Sequence, residues 1–174
     1  RQEALWGTTG IFDQQVSDLK SFISDRNTWL SGQLTSTTSC ASVTQPALVI
    51  TKINYHPAAE ENEDSRDYEF IEITNVSDAS AELTGLYLGE LGLTYQFPKG
   101  IFMGAHSTLY LASETNSFKE RYGFTPFDEF TRSLSNQSEK VQLLDGYGNI
   151  IDEVLYSDEA PWPIEADGAG AYLS

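Results

Sequence analysis

Basic residues are scarce in this chain. Ten Lys and Arg stand against 26 Asp and Glu, giving a formal net charge of −16 over 174 residues. Nucleic-acid binding draws most of its affinity from cations that neutralise phosphates, so DNA and anionic membranes are poor partners. Cysteine occurs once, at Cys40, which rules out an intrachain disulfide framework and a Cys-based zinc site. No apolar run is long enough for a transmembrane span or a signal-peptide core, so direct membrane insertion is not expected. The chain opens at Arg1 without an initiator Met and reads as a piece of something longer, any secretion signal lying upstream. There is no G-x-S-x-G elbow, and the stretch from Gly85 to Gly92 lacks the Lys-Ser/Thr that completes a phosphate loop. The two histidines, His56 and His106, read as surface or half-buried residues. His106 and its neighbour Ser107 would point to opposite faces of a strand and could not pair as base and nucleophile. Together these absences point away from an enzyme and from any required cofactor.

What is present falls into two parts. From Asp13 to Leu34, Val16, Leu19, Phe22, Ile23, Trp29, Leu30 and Leu34 recur at helical spacing, with Asp13 as N-cap. This predicts one amphipathic helix of ~30 Å, which is marginal alone unless its apolar stripe packs on something. The segment TSTTSCASVTQ, residues 35–45, has no hydrophobic period and reads as a linker closed by Pro46. After Pro46 the period changes to two. The runs Leu48–Asn54, Tyr68–Asn75, Glu82–Leu88, Leu93–Phe97, Ser107–Ala112, Lys140–Leu144, Ile150–Tyr156 and Ala171–Leu173 predict strands. Asp145-Gly146-Tyr147-Gly148-Asn149 predicts a hairpin, and a short helical excursion is expected near Phe118 to Tyr122. Residues 1–40 are therefore taken as a helical segment plus linker and 46–174 as a mainly β sandwich. The latter holds 22 acidic and 7 basic residues.

Several stretches of the second part, in order, resemble the lamin tail domain, an immunoglobulin-like module. These are LVITKINYHP, YEFIEITNVSDASAELTGLYL, YQFPKGIFMGAHSTLYLASE and SLSNQSEKVQLLDGYGNIIDEVLYSDEAPWPIEADGAGAYL. The resemblance covers about residues 47–174 and implies an immunoglobulin-like β-sandwich, stopping at Ser174 where a final strand is expected to continue. FISDRNTWLSGQL is similar to the last helix of the CotH-type, kinase-like spore coat domain. That likeness implies a bacterial protein, secreted or at the cell surface, with any phosphotransfer chemistry upstream of this chain.

The expected function is that of a noncatalytic accessory or interaction module. It would contact other parts of the same polypeptide or protein partners, with Phe22, Trp29, Leu30 and Trp162 as the candidate contact surface. The alternative is a ligand module for carbohydrate or Ca²⁺. The acidic run Glu60, Glu61, Glu63, Asp64, Asp67, Glu69 is offset only by Arg66, and Glu61, Asp64 and Asp67 are the candidate Ca²⁺ ligands. A solvated, self-repelling loop is the plainer reading of that run. Trp162 between Pro161 and Pro163 could be an exposed platform or could pack on the sandwich. A second acidic set, Asp152, Glu153, Asp158, Glu159, Glu165 and Asp167, meets the first only if the fold allows. Asn75-Val76-Ser77 and Asn136-Gln137-Ser138 are formal glycosylation acceptors.

Overall fold

The structure, a computed structural model, describes residues 11–34, 45–60, 64–89 and 92–174, and the chain divides into two units, Arg1–Thr44 and Gln45–Ser174. Glu61, Glu63 and Cys40 lie outside the described residues, as does most of the linker.

In the first unit, α1 (Ile11–Leu34) is a single helix. It starts ahead of Asp13, so that residue lies within the helix and is not its N-cap. Phe22, Ile23, Trp29 and Leu30 share one side of the helix by their spacing and are all exposed, Phe22 at 64 % and Trp29 at 55 %. The Arg26 guanidinium lies 5.1 Å from the centre of the Trp29 ring.

The second unit contains β1 (Leu48–Asn54), β2 (Phe70–Asn75), β3 (Ala81–Glu82), β4 (Tyr87–Gly89), β5 (Tyr95–Gln96), β6 (Phe102–Met103), β7 (Thr108–Ala112), α2 (Thr115–Tyr122), β8 (Asp128–Glu129), β9 (Ser138–Leu144) and β10 (Ile150–Ser157). One sheet has the order β1-β2-β7-β8, a second the order β10-β9-β4-β5, and β3-β6 form a small ribbon. All pairs are antiparallel except β7 with β8. The inward faces of the two large sheets enclose one core. Ile53, Ile71, Ile73 and Leu111 come from the first sheet, and Leu88, Val141, Leu143 and Tyr156 from the second. Both side seams are stitched. Ile50 donates its backbone N–H to Asp152 Oδ2 at 2.7 Å on one side, and Thr94 bridges Thr131 on the other.

Strand β2 is central and covered on both faces, which explains why FIEITN does not alternate cleanly between apolar and polar. Ile71 and Ile73 face the core. Phe70 faces outward and would be exposed but for α2, whose Phe118 is fully buried edge-on to it at 5.7 Å. The helix is placed by its ends: Glu114 caps the Ser117 N–H, and Gly123 ends it at a φ of +81° that most side chains resist. The predicted hairpin at 145–149 is present, with Asp145 Oδ1 accepting the N–H groups of Tyr147 and Asn149.

The structure differs from the expected strands in instructive ways. Glu82–Leu88 is not one strand: a turn at Leu83–Leu86, with Gly85 at φ +75°, splits it between the ribbon and the second sheet. Leu83 and Leu86 are both buried, so their hydrophobicity reported burial and not strand. Tyr68 ends a 3-10 turn, Ser65–Tyr68, and is not part of β2. The Ala171–Leu173 run reduces to one bridge, Leu173 to Ile53, while β6 and β8 are two-residue strands too short to carry a period.

Candidate functional site

His56 and His106 each take a carboxylate partner. His56 Nδ1 lies 2.6 Å from Asp167 Oδ1, and His106 Nε2 lies 2.8 Å from Asp78 Oδ1. No Ser or Thr hydroxyl among the described residues bonds to either imidazole. His106 sits in a turn at φ +52°, not on a strand as expected.

The described acids of the 60–69 run are dispersed. Glu60 Oε1 accepts two hydrogen bonds from Arg121, from Nη2 at 2.7 Å and from Nε at 2.9 Å. Asp64 caps the 3-10 turn and is gripped by Arg66, whose hydrogen bonds hold its carboxyl down to about 2. Asp67 stays on the 3-10 turn, and Glu69 turns inward. Among the described residues no three acidic, His or Cys side chains converge as a metal set. The second acidic set is spread too: Asp152 serves the β1 seam, Glu153 accepts from Gln142, and Asp167 faces His56.

Glu69 is the most unusual of these groups. It is fully buried, its Oε2 accepts the Leu134 N–H at 2.8 Å, and its Oε1 has no partner. Burial without a bonded cation pushes its carboxyl up to about 8, Glu139 adding to the rise while the Leu134 N–H and Arg66 oppose it. Glu139 accepts the Ser135 N–H at 2.9 Å and the Tyr156 hydroxyl at 3.2 Å. Two carboxyl groups thus pin the 134–135 backbone beside a hollow of about 450 Å³ lined by Gly92, Leu134, Ser135 and Glu139.

On the outer face of the first sheet, two hollows meet at Tyr122. One of about 310 Å³ is lined by Asn54, Pro57, Ala58, Arg121, Tyr122 and Gly170. The other, about 160 Å³, is lined by Lys52, Phe70, Tyr110, Phe118, Phe124 and Tyr172 as well as Tyr122. Asn54 Nδ2 donates to the Tyr122 hydroxyl at 2.8 Å, while Asn54 Oδ1 is buried without a partner. The Arg121 guanidinium stacks over Tyr68 at 3.6 Å and donates to Ala58 O. Lys52 lies between the rings of Tyr110 and Tyr172, at 5.9 and 5.3 Å, and pairs with Glu72 at 2.7 Å. Sequence reading missed this constellation because residues 54, 121 and 170 meet only through tertiary packing. The sole local signal was the closely spaced aromatics Phe118, Tyr122 and Phe124.

Of the expected contact residues, Trp162 is half-buried against the sandwich core and lines a groove with Ile50, Val154 and Leu173. Phe22, Trp29 and Leu30 are exposed on α1. No helix among the described residues is long and apolar enough to cross a membrane.

Two packed sheets with one shared core, stitched along both seams, define an immunoglobulin-like β-sandwich. The family model of the lamin tail domain matches residues 41–158, and the chain belongs to that family of noncatalytic domains, which often act as interaction modules. No curated protein matches the chain.

Proposed function

We propose that the chain is the noncatalytic contact module of a larger bacterial protein, secreted or at the cell surface, in which the sandwich is a rigid scaffold and α1 supplies a docking face. The observation that carries this reading is the uncovered stripe of Phe22, Ile23, Trp29 and Leu30. A helix with such a stripe gains most of its stability by packing it against a partner. The likeness of FISDRNTWLSGQL to the end of a CotH-type kinase-like domain makes that partner the polypeptide upstream, which would carry any phosphotransfer.

Hydrogen exchange tests this. In the chain alone the amides of residues 14–32 are expected to exchange far faster than those of β2 and β9; in the longer protein they are expected to slow by at least tenfold. Phe22→Ser with Trp29→Ser is expected to abolish that slowing without lowering the melting temperature of the sandwich. Equal exchange in both contexts would sink the reading.

Ca²⁺ binding through Glu61, Asp64 and Asp67 has less support, since Arg66 already holds the Asp64 carboxylate. A ligand that binds only the folded state at a hundred times its dissociation constant adds ~2.7 kcal/mol. A rise of several degrees in melting temperature with excess Ca²⁺, reversed by chelator, would restore that reading.

A further inference from the structure

Residues 132–136 lie between β8 and β9 in a segment fixed at both ends. Thr131 exchanges two backbone hydrogen bonds with Thr94, and Gln137 O accepts the Asp158 N–H at 2.7 Å. Between those anchors the middle of the segment is held by side chains. Leu134 N–H goes to Glu69, Ser135 N–H goes to Glu139, and Ser135 O accepts the Tyr156 hydroxyl at 2.8 Å. The segment is also strained: Arg132 stands at a φ of +71°, a left-handed conformation that a non-glycine residue adopts at a cost. Its Leu134 side chain is packed in the core, and the hollow of about 450 Å³ lies along Ser133, Leu134, Ser135 and Ser138.

The charged and titratable groups that bear on Glu69 come from three directions. Arg66 and Asp64 belong to the 3-10 turn, Glu139 to β9 and Tyr156 to β10. Arg66 favours a charge on Glu69, but its guanidinium is bonded to Asp64. Glu139 opposes that charge and is wedged against Gly92, where an added Cβ would collide with its Oε1. The segment itself carries Arg132, which is exposed, and Lys140 follows Glu139 on β9. Glu69 Oε1 has no partner, so a charge there meets no donor. Of the two sides of this contact, the segment is the one that can yield. Strand β2 lies between β1 and β7, and the Glu69 backbone is tied to Arg66 O and to the Ser113 N–H.

We propose that residues 132–136 are a strap that stays closed over Glu69 while this carboxyl carries its proton and opens when it ionises, letting water reach the charge. The direction follows from which state holds the proton more tightly. In the closed state burial raises the Glu69 carboxyl from 4.5 to about 8, and in the open state it returns towards its ordinary value. Opening is therefore least below about 4.5, rises by up to about tenfold per pH unit between there and 8, and levels off above. The Thr94–Thr131 and Gln137–Asp158 bonds keep the motion local. This inference stands apart from the docking role of α1 and does not need it.

The test is hydrogen exchange of the ¹⁵N-labelled chain between pH 5 and 8, each rate divided by that of an unprotected amide at the same pH. The Leu134 and Ser135 amides are expected to be at least about tenfold less protected than those of Ile71 and Leu111, and to lose protection as pH rises. Urea below its unfolding range is expected to speed Ile71 and Leu111 and to leave Leu134 and Ser135 unchanged, because a local opening exposes little surface. Glu69→Gln keeps an acceptor for Leu134 and is expected to remove the pH dependence at the strap. The parent chain alone can overturn the proposal. It fails if Leu134 and Ser135 exchange with the protection and urea dependence of Ile71, which would mean that they open only by global unfolding, or if their protection does not change with pH. It fails equally if the Glu69→Gln chain, with Ile71 and Leu111 still protected, keeps the pH dependence.

Discussion

Glu69 and Glu72 lie three residues apart at and beside the start of β2 and are almost equally buried, at 0 % and 5 %, yet their surroundings are opposite. Glu72 faces outward under the aromatic layer. Burial there works against its charge, but Lys52, the Tyr110 hydroxyl and Thr51 all donate to it and together hold its carboxyl below the usual range. Glu69 faces inward, accepts one backbone N–H and meets no bonded cation, so burial prevails and its carboxyl is pushed up to about 8. The partner, not the depth, decides whether a buried carboxylate is charged. On the outer face Glu72 is thus held charged beneath an aromatic layer, while on the inner face burial favours the neutral form of Glu69.

The largest expected effect comes from uncovering the outer face. Phe118→Ala would remove the fully buried ring that α2 lays over Phe70 and is expected to cost about 3–5 kcal/mol, read from urea denaturation. A loss under about 1 kcal/mol would mean that α2 is not a structural cover.

The next effect concerns the inner acid. An acid whose folded-state pKa lies above its unfolded value binds its proton more tightly when folded. Stability is therefore full below about 4.5 and declines as pH rises towards 8. Glu69→Gln keeps an acceptor for the Leu134 N–H and removes the ionisation. It is expected to flatten that decline and to raise stability at pH 7 by up to about 3 kcal/mol. Parallel stability–pH curves for the two proteins would show that Glu69 is not held neutral.

The smallest effect probes the outer acid. Glu72 contributes stability above its unfolded pKa, and that contribution is lost as pH falls. Lys52→Met leaves the Thr51 and Tyr110 donors in place, so the cost is expected to be about 1–2 kcal/mol at pH 7, shrinking as the solution is acidified. A cost independent of pH would assign the loss to packing of the lysine stem against Tyr110 and Tyr172.

Much of the fold was legible because burial leaves a period. The long elements α1, β1 and β10 fall close to their expected spans, and the 145–149 hairpin is where Asp, Gly and Asn placed it. The failures share one cause. Leu83, Leu86, β6 and β8 involve two or three residues each, too few for any period to register, and their pairing is chosen by partners far along the chain. The sites were less legible still. Acid clustering along the chain pointed to a loop whose described members scatter to different partners, whereas Asn54 and Arg121 carried no local mark.

By itself the sequence determined the sandwich class and the amphipathic helix, because each rests on a repeating pattern that survives in one dimension, and the family, because its motifs stand in order along the chain. Only the tertiary structure decided which acid is paired, which is held neutral, and which amide oxygen lacks a donor. Those outcomes depend on distances of a few ångströms between residues far apart along the chain, where the interaction of a charge or a hydrogen bond changes steeply with position.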